Sequence, residues 1–119
     1  LLLFAHGARD PNWAKPFDAV AARARALQPQ AAVRLAFLEF MTPDMASAGA
    51  ELAAEGCDQV DVVPLFLGAG GHVRKDVPQL LAALRQAHPA VRFELRTTVG
   101  ENAGVIDAMA VAAVAQLGA

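Results

Sequence analysis

Two histidines occupy matching places in the chain. His6 follows the apolar run Leu1-Leu2-Leu3-Phe4-Ala5 and precedes Gly7, and His72 follows a second apolar run and the segment Gly68-Ala69-Gly70-Gly71. A neutral imidazole binds a divalent metal or accepts a proton near pH 7. Two imidazoles fall short of a permanent zinc site, which takes at least three protein ligands, but they suit a metal that is only passing through. Glu39, at the close of another apolar run, offers a carboxylate near His6. The plain structural readings are a buried histidine fixing a strand end for His6 and an ordinary surface charge for Glu39.

Positive charge gathers around the same segments. Arg9, Arg74 and Lys75 flank the two histidines, with Arg96 further along, and arginine pairs with carboxylates or phosphates through parallel donors. Solvated surface charge is the competing reading, above all for Lys75 and Arg96. Gly70 and Gly71 let a flat or bulky ligand approach the backbone closely. Asp10 and Asp76 read as helix-start residues, since negative charge is favoured there. His88, beside Pro89 at the far end of a helix, reads as a cap or an exposed side chain.

These residues need a scaffold that brings them together, and the hydrophobic pattern supplies one. Strands are predicted over Leu1 to Ala5, Val33 to Phe40, Val60 to Leu67 and Val91 to Leu95, alternating with four helices. The first helix ends near Leu27, with Trp13, Phe17, Val20, Ala24 and Leu27 at helical spacing and Pro16 disturbing its first turn. The second starts at Thr42-Pro43 and is ended by Gly56. Val77, Leu80, Leu81 and Leu84 mark the third, and Ile106, Met109, Ala113 and Leu117 are expected to form the buried face of the fourth. Near-continuous apolarity in the third strand predicts cover on both faces, with Pro64 as its awkward member. The expectation is an α/β three-layer sandwich with a four-stranded parallel sheet in the order 2-1-3-4. That order reverses direction between strands 1 and 3, opening a crevice at the strand ends that carry His6 and His72.

Composition narrows the function classes. With 119 residues, the chain is expected to form one domain over 1–119. A net charge of −2 gives no general attraction to nucleic acid or anionic membrane. The single cysteine, Cys57, excludes a disulfide framework or a multi-cysteine metal site and reads as a small buried side chain. The opening apolar run is too short to span a membrane and lacks a basic lead, so the expected location is the cytoplasm. The glycine segment lacks the Lys-Ser/Thr of a P-loop and misses the dinucleotide fingerprint. Ser47, the sole serine, sits in an apparent helix without the elbow of a hydrolase.

Two segments carry a family resemblance: Leu3-Phe4-Ala5-His6-Gly7-Ala8-Arg9-Asp10-Pro11 and Pro64-Leu65-Phe66-Leu67-Gly68-Ala69-Gly70-Gly71-His72-Val73-Arg74-Lys75-Asp76-Val77-Pro78, with Phe37-Leu38-Glu39 between them. The chain resembles the small class II chelatases, the sirohydrochlorin cobalt, iron and nickel chelatase group. The resemblance implies a chelatase-like fold and ATP-independent insertion of a divalent metal into sirohydrochlorin or a related tetrapyrrole. Co²⁺ comes first, then Fe²⁺ or Ni²⁺, with no organic cofactor. It implies metal handling by His6 and His72, with Glu39 as a further catalytic group and Arg9, Gly70, Gly71, Arg74 and Lys75 toward the substrate. It also implies a homodimer that replaces the second lobe of larger chelatases. Ala8 stands where the family commonly has serine. The alternative is a tetrapyrrole or metal carrier on the same fold, and a structural interaction module is more distant.

Overall fold

The computed structural model describes residues 1–68 and 70–118, with the backbone alone at position 72. The strands are β1 (Leu2–Ala5), β2 (Arg34–Phe37), β3 (Gln59–Pro64) and β4 (Arg92–Leu95). The helices are α1 (Ala14–Leu27), α2 (Met45–Ala54), α3 (Gly71–Ala87) and α4 (Ala103–Val114), with 3₁₀ turns at Pro11–Trp13 and Val99–Glu101. All strand pairs are parallel and the sheet order is β2-β1-β3-β4, as the alternation of strand and helix predicts. His6 and the segment leading to His72 therefore leave neighbouring strands at the same edge of the sheet.

Two apolar clusters hold the layers together. On one face, Phe4, Val60, Val62 and Phe93 pack under Met45, Ala48 and Leu52 of α2 and Val73, Val77, Leu81 and Leu84 of α3. On the other, Leu3, Ala5, Leu35 and Phe37 pack under Ala21 of α1, with Phe17 and Ala24 alongside. Every residue of β1 is buried, as a strand covered from both sides requires.

The strands are shorter than predicted, and the reasons are local. Pro64 is the last residue of β3, where its missing N–H costs no ladder bond; Leu65 N–H then donates to the Phe4 carbonyl at 2.7 Å. At its end β2 gives way to a tight turn, so Glu39 and Phe40 lie beyond the sheet. The cap of α2 is Asp44, not Thr42: its Oδ1 accepts from Ser47 N–H at 2.8 Å. The 3₁₀ turn Pro11–Trp13, capped by Asp10 as expected, precedes α1, and Pro16 falls in that helix's first turn, where no intrahelical N–H bond is lost. The helical stripe in α1 is less buried than its spacing implies, since Trp13, Val20 and Leu27 are exposed.

The largest correction concerns α4. Ile106, Met109, Ala113 and Leu117 form no buried face, and α4 has no buried residue at all. The helix springs from the 3₁₀ turn Val99–Glu101 and stands away from the sheet. Asn102 starts it firmly, its Oδ1 accepting from Gly104 N–H at 2.8 Å. The α1 side of β3 is consequently only half covered, leaving Asp61, Val63 and Leu65 partly exposed where cover on both faces was expected. The molecule is elongated, with a long axis of 54 Å and a radius of gyration of 15.2 Å. A compact chain of this size would have a radius of about 13.5 Å.

Candidate functional site

The site is built from the segments that leave β1, β2 and β3 at the carboxyl edge of the sheet. His6 is half-buried, and its ring lies 4.4 Å from the Phe66 ring, centroid to centroid, at an interplanar angle of 37°. Phe66 is itself buried and meets Phe4 edge-on at 5.9 Å. The histidine thus rests on an apolar wall anchored in the core. Its carbonyl accepts from Trp13 Nε1–H at 3.0 Å, which ties the start of α1 to the end of β1. That bond pins the His6 backbone, and among the described residues nothing hydrogen-bonds its imidazole nitrogens.

Gly7 explains how the β2–α2 turn reaches this place. A Cβ built on Gly7 would overlap the carbonyl of Glu39, so the two segments touch backbone to backbone. Glu39 is exposed, in the turn and not at a strand end, yet it is held beside the His6 segment by that contact. Arg9, also exposed, places its guanidinium carbon 5.0 Å over the ring of Phe40. His6, Glu39 and Arg9 are therefore brought to one region.

The third wall is the start of α3. The helix begins at Gly71, earlier than the loop reading implies, so Arg74 and Lys75 project from its first turns and are exposed. His72 lies in the first turn by its backbone, and its side chain falls outside the described residues, as does Ala69. Gly68, Gly70 and Gly71 have open space where a Cβ would stand, so among the described residues their small size serves no packing. Asp76 is half-buried inside α3 and does not head it. Among the described residues no cluster of three or more His, Cys, Asp or Glu side chains forms a metal cage.

Other predicted residues fall elsewhere. Arg96 is held by Asp61 at 2.8 Å on the half-covered face, and its charge is largely answered there. Burial tends to raise the Asp61 carboxyl, but hydrogen bonds from Arg96 and Gln59 outweigh it and hold the group below the ordinary aspartate range. His88 caps α3 through its backbone and lies at the far end, 6.2 Å from Phe93. Cys57, expected to be buried, is half-buried against the core.

An apolar cleft of about 280 Å³ opens between α3 and the segment after β4, lined by Phe66, Val73, Val77 and Leu95 with Arg74 and Arg96 at its rim. Its outer wall is braced to the site. Thr98 Oγ1–H and Gly100 N–H both donate to the Phe66 carbonyl, at 2.6 and 2.9 Å. Sequence reasoning missed the Phe66 and Trp13 contacts to His6, assigning both aromatics to helix or core packing. The signal for Trp13 was its indole N–H, which seeks an acceptor when the ring is partly covered.

The sequence model of the CbiX family matches residues 1–114. The sirohydrochlorin cobaltochelatase of Saccharolobus solfataricus is 38% identical over 108 residues, covering 87% of this chain and 81% of that protein. The sirohydrochlorin cobaltochelatase of Methanococcus aeolicus is 30% identical over 84 residues, covering 71% of this chain and 59% of its own length. Among solved structures, a CbiX protein from Marinobacter aquaeolei described under cobalamin biosynthesis superposes with a TM-score of 0.85 at 30% identity, covering 98% of this chain and 92% of that one. The sirohydrochlorin chelatase SirB of Bacillus subtilis, solved with cobalt, shares the fold with a TM-score of 0.85 at 22% identity. The match takes in 97% of this chain but only 49% of SirB, so the fold there occupies about half of a longer protein.

Proposed function

This chain belongs to the CbiX family, and from that premise we propose that it inserts a divalent metal ion, Co²⁺ before Fe²⁺ or Ni²⁺, into sirohydrochlorin or a closely related tetrapyrrole. The observation that carries the proposal is His6. It is a half-buried imidazole, stacked on a core phenylalanine and pinned through its backbone, at the sheet edge where the turn bearing Glu39 also arrives. A metal ion is a substrate here. It has to be held strongly enough to lose water and weakly enough to leave for the macrocycle, which fits a sparse set of ligands better than a closed cage.

In this reading His6 and His72 take the ion in turn, and Glu39 adds a carboxylate. Two protons leave the ring nitrogens as the metal enters, and a free imidazole or the Glu39 carboxylate accepts them. One nitrogen cannot hold a metal and a proton together, so the roles fall at different steps. Arg9, Arg74 and Lys75 receive the carboxylates of the macrocycle rim, and the open space at Gly70 and Gly71 admits its face. The expected location is the cytoplasm, where a soluble tetrapyrrole would be met.

The test is anaerobic metallation of sirohydrochlorin with competing Co²⁺, Fe²⁺ and Ni²⁺, monitored by the absorption change of the macrocycle. Removing one metal-handling group should cost about 10²-fold or more in turnover in His6→Ala and His72→Ala. Glu39→Gln should lower turnover by a smaller factor. Undiminished turnover in both folded histidine variants would refute the assignment, and stoichiometric binding without repeated turnover would make the protein a carrier.

We also propose that the working form is a homodimer built on α4. The supporting observations are an apolar helix none of whose described residues is buried, and a fold that elsewhere fills half of a longer protein. Light scattering should give twice the chain mass, and a monomer at assay concentration would contradict this.

A further inference from the structure

We propose that Phe40, together with Arg9, forms the ledge that takes the planar, carboxylate-rimmed ligand. The inference rests on the chelatase reading and adds a binding residue to it. In sequence, Phe40 looks like the last apolar residue of the second strand. In the fold it is the centre of a three-residue turn: Met41 N–H donates to the Glu39 carbonyl at 2.8 Å, and Phe40 has φ of +65°. This is the positive-φ form of the γ-turn, the rarer and strained one. Glycine is the residue that adopts such a backbone without cost. Phe40 is the only non-glycine residue with positive φ among those described.

The chain gains no burial in exchange. Phe40 is 60% exposed, so its ring contributes little to the core. Strain and an exposed aromatic at one residue are both unexplained by folding, and a residue held this way beside a candidate site points to a ligand. The surroundings say which kind. The Arg9 guanidinium carbon sits 5.0 Å over the ring, and the backbone contact between Gly7 and Glu39 fixes this pair against the His6 segment. A conjugated planar body stacks on an exposed phenyl ring, and a carboxylate on its edge pairs with the adjacent guanidinium. Trp13 is a contrasting case: its indole N–H is spent on the His6 carbonyl and its ring leans on Phe17 at 5.7 Å. It braces the loop, while Phe40 faces outward.

The experiment titrates metal-free sirohydrochlorin, anaerobically, into the wild type and Phe40→Gly, Phe40→Tyr and Phe40→Leu, with Co²⁺ alone titrated in parallel. Phe40→Gly should melt at a higher temperature than the wild type, since the strain is gone, yet bind the macrocycle about tenfold more weakly. Phe40→Tyr should restore the affinity and Phe40→Leu should not, while Co²⁺ binding depends on His6 and is retained in all three. Wild-type affinity in Phe40→Gly, or equal affinity in the leucine and tyrosine variants, would overturn the ledge. A wild type that binds the macrocycle through Phe40 but never metallates it would overturn the chelatase reading and leave the ledge standing. A wild type that binds no macrocycle would overturn both.

Discussion

At the scale of single residues, Gly7 decides whether the site exists. The His6 segment and the β2–α2 turn meet across its missing side chain, so Gly7→Ala has to push the Glu39 carbonyl away. Overpacking of this kind costs about 1–3 kcal/mol, and here it also separates Glu39 and Phe40 from His6. We expect the alanine variant to melt several degrees lower and to lose more metallation activity than its residual fold accounts for. Equal losses in Gly7→Ala and in a core variant of matched stability would argue against this coupling. The sequence made His6 and Gly7 legible because a glycine after a strand-end histidine is a recognisable pattern. It concealed why Gly7 is there, since that reason lies in the β2–α2 turn, more than thirty residues away. The role of Phe40 was hidden for a related cause. An apolar residue after Phe37-Leu38 reads as more strand, and only a backbone angle shows otherwise.

At the scale of elements, the period of the hydrophobic pattern gave the four strands and crossover handedness their order, while the ends of elements were set by chemistry the period does not contain. The start of α2 is one example. Thr42-Pro43 has the composition of a cap, but Asp44 supplies the oxygen, and the hydrogen bond from Ser47 N–H holds its carboxyl below the ordinary aspartate range. A depressed folded-state pKa means that the cap's stabilisation is fully present above the unfolded value of 3.8 and is lost as the pH falls through the folded one. Asp44→Ala should therefore cost about 1 kcal/mol at neutral pH. It should cost progressively less below pH 4, which thermal melts across a pH series will read. A constant deficit at all pH values would mean the aspartate acts through something other than its charge. The same helix is tied to β2 by Arg34, which pairs with Glu51 at 3.1 Å and with Glu55. These partly exposed pairs orient α2 more than they stabilise it.

At the scale of the whole molecule, α4 is where the sequence expectation failed most clearly. Its residues have the spacing and composition of a buried helix, and the inference that they bury against their own sheet was the natural one. Burial is a demand for a partner surface, however, and the pattern does not say on which chain that surface lies. Ile106, Met109, Val111 and Val114 are between 48% and 63% exposed, and Asp107 is the only charge on the helix. On the homodimer proposal, Val111→Lys should leave the single-chain fold intact, because the position is 61% exposed, while reducing the light-scattering mass to that of one chain. A variant that stays dimeric would place the association surface elsewhere.

The turn from which α4 departs has a second attachment. Thr98 and Gly100 both donate to the carbonyl of Phe66, and the ring of that same residue carries His6. The turn at the root of the projecting helix and the bed of the imidazole therefore meet in one amino acid. In the proposed homodimer this shared residue predicts a dependence on abundance: turnover per chain should decline on dilution below the dissociation constant of the pair and recover on concentration. Specific activity across a dilution series will show it, and a flat response would mean the helix and the histidine work independently.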